Sequence, residues 1–195
     1  MVLSMEMLAD LITLFGLSKS DFYPSSTWFS YGSNLSEIDF RNRMKDRGYE
    51  LGHLNPIRAK LDGWRRELAN ASKHGLAYTI VRGTSSTVEG LLHEVPVEAL
   101  PAFLRKEGVL DPGYRVRSDA TRSYDIIKIV TSEPNQEALT LFGRCPKPLD
   151  QVTHNMLQQL KTYVEVSLEG AKSYQLNCSD MISDLGAISK SLRSQ

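Results

Sequence analysis

Short runs of aliphatic, β-branched and aromatic residues follow one another through the middle of the chain, and a stretch at either end carries its apolar residues at helical spacing instead. Trp28-Phe29-Ser30-Tyr31, Leu76 to Val81, Val88 to Val95, Tyr124 to Thr131 and Ala138 to Phe142 have the length and composition of strands. Arg58 to Leu68 reads as another, bent at Gly63, and Tyr114 to Arg117 as a shorter one. The polar segment Arg82 to Thr87 predicts a turn, as does Asp111-Pro112-Gly113. Leu3, Met7, Leu11 and Leu14 predict a helix at the N-terminus. Ser36 to Gly48, Pro96 to Glu107 and Val152 to about Gly170 predict three more, with a short one near Met181 to Leu185. Strands and helices mixed in this way predict an α+β fold: a small mixed β-barrel or sheet with flanking helices. The expected organisation is an amphipathic helical extension over 1–22, one domain over 23–175 and a C-terminal tail over 176–195. The apolar face of residues 3–15 packs on that domain or on a second copy, so a homodimer is one of the expectations.

Lys and Arg number 23 and Asp and Glu 23, a formal net charge of zero in 195 residues. That balance argues against a nucleic-acid surface. No apolar run reaches the roughly 18 residues of a membrane span, so no membrane association is expected. Glu6 and Asp10 interrupt the greasy N-terminus, which does not read as a signal peptide. Cys145 and Cys178 are too few for a disulfide framework, and a cytoplasmic location is expected. His53, His74, His93 and His154 lie far apart without metal-ligand spacing. With no phosphate loop or dinucleotide fingerprint either, neither metal nor cofactor is expected.

Two places carry chemistry. At Tyr31-Gly32-Ser33-Asn34-Leu35 a strand stops, a glycine permits close backbone approach, and a helix follows. Such a junction aims several backbone N–H groups one way and is a cradle for a carboxylate or an oxyanion; it is also ordinary turn chemistry. The second is Glu107, which continues the apolar stripe Leu100, Phe103, Leu104 on one helix face while Arg105 and Lys106 are expected to point outward. A carboxylate there loses hydration, which favours its protonated form and suits a general acid or base. Solvated at the helix end and paired with an arginine, it is structural instead. The basic stretch Arg41, Arg43, Lys45, Arg47 is diluted by Asp39 and Asp46 and reads as a solvated face.

Together these segments resemble the gamma-glutamylcyclotransferase superfamily. Phe29 to Leu35 is similar to its substrate-cradling Tyr-Gly-Ser-Asn-Leu loop, and Glu107-Gly108 to its catalytic Glu-Gly. Leu61 to Arg66, Gly75 to Val81, Val88 to Val95 and the helix around Tyr163 with Gly170-Ala171 extend the likeness over about residues 27–175. Leu104 departs from it, standing where the family commonly has Asp. The resemblance implies an enzyme that closes a γ-glutamyl group to 5-oxoproline and releases an amine or amino acid. It assigns Glu107 as general acid and base, with Tyr31, Gly32, Ser33, Asn34, Leu35 and Tyr114 binding a small-molecule γ-glutamyl substrate. A non-catalytic module of the same fold, recognising a glutamyl-like ligand or protein partner, is the alternative. The leaving amine is not legible.

Overall fold

The computed structural model describes residues 3–52, 54–72, 75–144 and 146–194; His53, His74 and Cys145 fall outside them. Five strands form one sheet: β1 (Ser25–Ser30), β2 (Ile57–Ser72), β3 (Gly75–Pro96), β4 (Tyr124–Ser132) and β5 (Asn135–Gly143). Their order is β2-β3-β1-β5-β4. β2–β3, β3–β1 and β4–β5 are antiparallel, and β1 runs parallel to β5 with Trp28 opposite Leu139. The far edges curl toward each other. Lys60 of β2 donates its N–H to the Glu133 carbonyl at the β4–β5 turn (2.8 Å), and its ammonium reaches the Glu133 carboxylate (2.8 Å). The result is an α+β fold around a nearly closed mixed five-stranded barrel, as the alternation of runs predicts.

Five helices flank it: α1 (Met5–Phe15), α2 (Glu37–Lys45), α3 (Leu100–Lys106), α4 (His154–Ser173) and α5 (Ser179–Arg193). They divide the apolar residues into two cores. One holds Leu61, Tyr78, Ile80 and Leu91 of the long hairpin against Leu160, Val164, Leu168 of α4 and Met181, Ile188 of α5. The other holds Trp28, Leu139 and Leu141 against Leu8 and Leu11 of α1, Phe40 and Met44 of α2, and Phe103 and Leu104 of α3. Each such side chain contributes about 1.5–3 kcal/mol when fully buried. Leu3, Met7, Leu8 and Leu11 spend their apolar face on this second core, and Ser4 caps α1 by accepting from the Met7 N–H (3.1 Å). Leu104, where a carboxylate would be stranded without water, is fully buried there.

Three expectations are corrected. The polar segment 82–87 does not reverse the chain: β3 runs through it. Asp62 pairs with Thr87 and Trp64 with Arg82, so residues 83–86 bulge opposite Gly63, whose φ of 77° bends β2 at that point. Thr87 donates to the Asp62 carboxylate (2.6 Å) and Arg82 stacks on Trp64 (4.1 Å to the ring centre), which satisfies polar side chains along an antiparallel ribbon. Residues 114–117 form no strand; an isolated bridge from Leu110 to Val116 closes a loop instead, with the turn at Asp111 as expected. The C-terminal tail is a 15-residue helix, α5, docked by Met181 and Ile188.

Candidate functional site

β1 ends at Ser30, and the chain passes through Tyr31 and Gly32 into a 3-10 turn, Ser33–Leu35. Leu35 is fully buried and anchors the turn; Ser36 then caps α2, its hydroxyl accepting from the Asp39 N–H (3.4 Å). Helix α4 lies against this turn at Gly170. A Cβ there would stand 2.4 Å from the Leu35 carbonyl carbon and the Ser36 nitrogen, so no larger residue fits without moving the loop. Gly32 has a similar neighbour: a Cβ would lie 2.9 Å from the Tyr163 hydroxyl.

That hydroxyl accepts a hydrogen bond from the Tyr78 N–H (3.0 Å), and the Tyr124 hydroxyl donates to the Tyr78 carbonyl (3.2 Å). Tyr31 donates its hydroxyl to the Leu141 carbonyl. Burial, as the first cause, pushes Tyr31, Tyr78 and Tyr124 far above the ordinary phenol range and Tyr163 up to about 12. All four are therefore neutral at physiological pH, and each keeps its proton to donate.

Glu107 stands at the end of α3, where Gly108 takes the left-handed conformation (φ 72°) that stops the helix. The Val109 N–H then closes on the Leu104 carbonyl (2.9 Å). The Glu107 side chain is 12% exposed. Its Oε1 accepts from Asn34 Nδ2 (2.9 Å) and from Lys106 Nζ (2.6 Å), while Lys106 Nζ also donates to Asn34 Oδ1. The loop and the acid predicted from sequence thus meet, in a closed triangle with a lysine.

Lys106 corrects an expectation. Its side chain is 4% exposed, with the ammonium over the Phe40 ring (5.1 Å). Offset by three from Phe103, it shares the apolar face rather than opposing it. Burial lowers its pKa from the ordinary lysine value, and the neighbouring Glu107 charge works the other way. Glu107 is thus not a lone dehydrated carboxylate; it is one half of a buried ion pair. Behind the lysine lies His93, whose ring nitrogens have no hydrogen-bond partner among the described residues and whose ring packs on Phe40 (5.5 Å). Burial first, then the Lys106 charge, hold His93 down to about 4, so it is neutral.

Asn34, Lys106 and Glu107 line a cavity of about 850 Å³, and His93 lies outside its wall. Tyr31, Gly32, Ser33, Asn34 and Glu107 all face it; Leu35 and Tyr114 are not in its wall. Leu35 is core, and Tyr114 (φ 61°) stands behind the wall, accepting from Arg105 Nη1 (3.1 Å) and donating to the Arg47 carbonyl (3.3 Å). Tyr78, Tyr124, Tyr163, Lys106, Arg43, Arg47, Arg105 and Arg117 line it as well. Arg43 and Arg47 correct the reading of residues 41–47 as a solvated face: Arg43, on α2, and Arg47, in the turn after it, are half-buried and line the cavity, whereas Arg41 and Lys45 are exposed.

Matched by structure, 84% of the chain superposes on 88% of the uncharacterized human protein loc79017 (TM-score 0.55, 20% identity). In a gamma-glutamyl cyclotransferase the match takes in 88% of this chain and 99% of that one (TM-score 0.55, 18% identity). The chain has the gamma-glutamyl cyclotransferase fold. YkqA from Bacillus subtilis shares it as well: 86% of this chain matches 56% of that one, so the chain spans little more than half its length (TM-score 0.51, 17% identity). No family model matches the sequence, nor does any curated protein. Within this cyclotransferase fold, no group of three or more His, Cys, Asp or Glu among the described residues is placed to hold a metal. None of the described helices is long and apolar enough to cross a membrane.

Proposed function

We propose that the chain is an enzyme that cyclises a γ-glutamyl group to 5-oxoproline, with Glu107 as the proton-transfer group. The hydrogen bond between Asn34 and Glu107 carries this reading, because it joins the cradle loop and the acid in one cavity. In the reaction the substrate's α-amine attacks its own γ-carbonyl carbon. A C–N bond forms, the bond to the leaving amine breaks, and the proton lost by the attacking nitrogen ends on the departing one. No protein nucleophile is needed. Closing a five-membered ring already supplies much of the proximity advantage, up to about 7–11 kcal/mol in well-oriented cases. What remains for the protein is to fold the substrate, move that proton and stabilise the developing oxyanion.

Glu107 makes both contacts through Oε1; no bond to Oε2 is formed among the described residues, which suits that oxygen to take the proton that the neutral α-amine loses on attack and pass it to the departing nitrogen. The Gly32–Asn34 backbone and the neutral hydroxyl of Tyr163 supply donors without adding a competing base. The same ion pair supports a second reading, a binding module in which Lys106 neutralises an acid that never accepts a proton. Glu107→Gln separates them. It keeps the hydrogen bond from Asn34 and is expected to lower 5-oxoproline release from γ-glutamyl peptides about 10²–10⁴-fold, with the product followed by chromatography. Release at the parental rate would remove Glu107 from the chemistry; release from neither protein would favour the binding module.

A further inference from the structure

The chain balances 23 basic residues against 23 acidic ones, but the cavity does not share that balance. Its wall carries five cationic side chains, Arg43, Arg47, Arg105, Lys106 and Arg117, against two carboxylates, Asp39 and Glu107. Both carboxylates are engaged, Asp39 with Arg43 Nε (2.7 Å) and Glu107 with Lys106. Arg47, Arg105 and Arg117 form no ion pair with a carboxylate among the described residues, although the Arg117 charge is felt at Asp111. Their hydrogen bonds go to neutral oxygens: Arg47 Nη1 to the Arg43 carbonyl (3.0 Å), Arg105 Nη1 to the Tyr114 hydroxyl (3.1 Å) and Arg117 Nε to the Leu110 carbonyl (3.2 Å).

A guanidinium has five N–H donors in a rigid fork, so each keeps most of its donors for a ligand. The three come from different places in the chain: the turn after α2, α3 and the loop before β4. Tyr114 ties two of them together, since its hydroxyl accepts from Arg105 and donates to the Arg47 backbone. Unpaired cations converging on a cleft focus its field and attract anions, and carboxylates meet guanidinium groups bidentately. On the cyclotransferase reading the cradle loop and Glu107 take the glutamyl group, which leaves these charges for the part of the substrate that departs.

We infer that the amine released by this chain carries at least two anionic groups: the substrate is a γ-glutamyl conjugate of a dicarboxylic amino acid or acidic peptide, not of a neutral amine. This rests on the cyclotransferase reading, and the test separates the two. Affinity by calorimetry and 5-oxoproline release are measured on the full chain with γ-glutamyl-glutamate, γ-glutamyl-alanine and γ-glutamyl-ethylamide. Each lost carboxylate is expected to weaken binding about tenfold. Arg117→Gln and Arg47→Gln are each expected to cut the ratio of γ-glutamyl-glutamate to γ-glutamyl-ethylamide affinity about tenfold. Equal affinities, no binding of any of the three, or a ratio that neither substitution moves overturns the inference. A preference for γ-glutamyl-glutamate without 5-oxoproline from any compound sinks the cyclisation and leaves the anion preference standing. Fastest release from γ-glutamyl-ethylamide with no binding preference does the reverse.

Discussion

The floor of the cavity and its rim are built on opposite electrical plans. At the floor, Lys106 and Glu107 cancel each other, and the hydroxyls of Tyr31, Tyr124 and Tyr163 keep their protons. At the rim, three guanidinium groups form no ion pair with a carboxylate among the described residues. On the proposed reading the floor moves a proton through Glu107 and offers the Tyr163 hydroxyl as a donor without a strong net field. The rim supplies field without chemistry. On the proposed reading, selection of a ligand and its reaction fall to different residues, so substitutions at one end should leave the signature of the other legible.

The largest expected effect tests whether the packing behind the floor, where His93 lies against Phe40, is as dry as its burial requires. His93 titrates ordinarily near 6.5 but is held near 4 in the folded chain, by burial first and by Lys106 second. Between those pH values the unfolded chain binds a proton that the folded chain refuses, so stability falls as pH drops through that window. The difference amounts to about 3 kcal/mol by pH 4. Urea unfolding at pH 7 and pH 4 should show that loss on top of the carboxylate contribution, and His93→Gln should remove most of it. An identical pH slope in the variant would mean that water reaches the ring.

Next in size is Gly32→Val. A Cβ at position 32 already stands 2.9 Å from the Tyr163 hydroxyl and 3.5 Å from the Tyr78 Cβ. Two further methyls push Tyr163 off the Tyr78 N–H or displace the loop that carries Asn34. A misplacement near 1 Å at a reacting centre costs about 10²-fold in rate. The kcat/KM for 5-oxoproline release should fall by about that factor, with the preference among anionic and neutral leaving groups preserved because the rim is untouched. Loss of that preference along with the rate would show that floor and rim move as one body.

How much of this was legible beforehand divides along the same line. The floor's main residues were readable, because Tyr31 to Asn34 are contiguous at a strand end and Glu107-Gly108 marks a helix stop, so local chemistry signals them. The barrel, too, followed from runs such as Val88–Val95 and Tyr124–Thr131, whose alternation needs no partner to be recognised. The rim was missed because each arginine comes from a separate segment, and a charge count over 41–47 cannot tell that Phe40 and Met44 pull Arg43 and Arg47 inward. Lys106 was misplaced for a subtler reason. Helical spacing from Phe103 puts it on the apolar face, yet a lysine is ordinarily assigned to water; what overrides that is a carboxylate and an amide oxygen supplied from both sides. The strand expected at 114–117 failed because Asp111, whose side chain accepts from the Arg115 N–H (2.9 Å), holds the segment as a loop. Tyr114 then serves the rim from behind instead of the cavity.

The smallest effect is also the one that sharpens the comparison most. Lys106→Met keeps a long side chain over Phe40, where a thioether packs well against a ring, but removes the ammonium from Glu107 and Asn34. If the lysine holds the carboxylate aimed at the substrate, kcat should drop about tenfold while KM for γ-glutamyl-alanine stays within about twofold. That split is what loss of an interaction specific to the transition state gives. A purely structural role predicts something else: a lower Tm, with kcat preserved in the fraction that remains folded. A higher kcat would mean that the ion pair restrains the acid, and the floor would then be a binding surface whose reactivity Lys106 suppresses. Either departure would move Lys106 from the floor's machinery to its scaffold, leaving Asn34 as the group that orients Glu107.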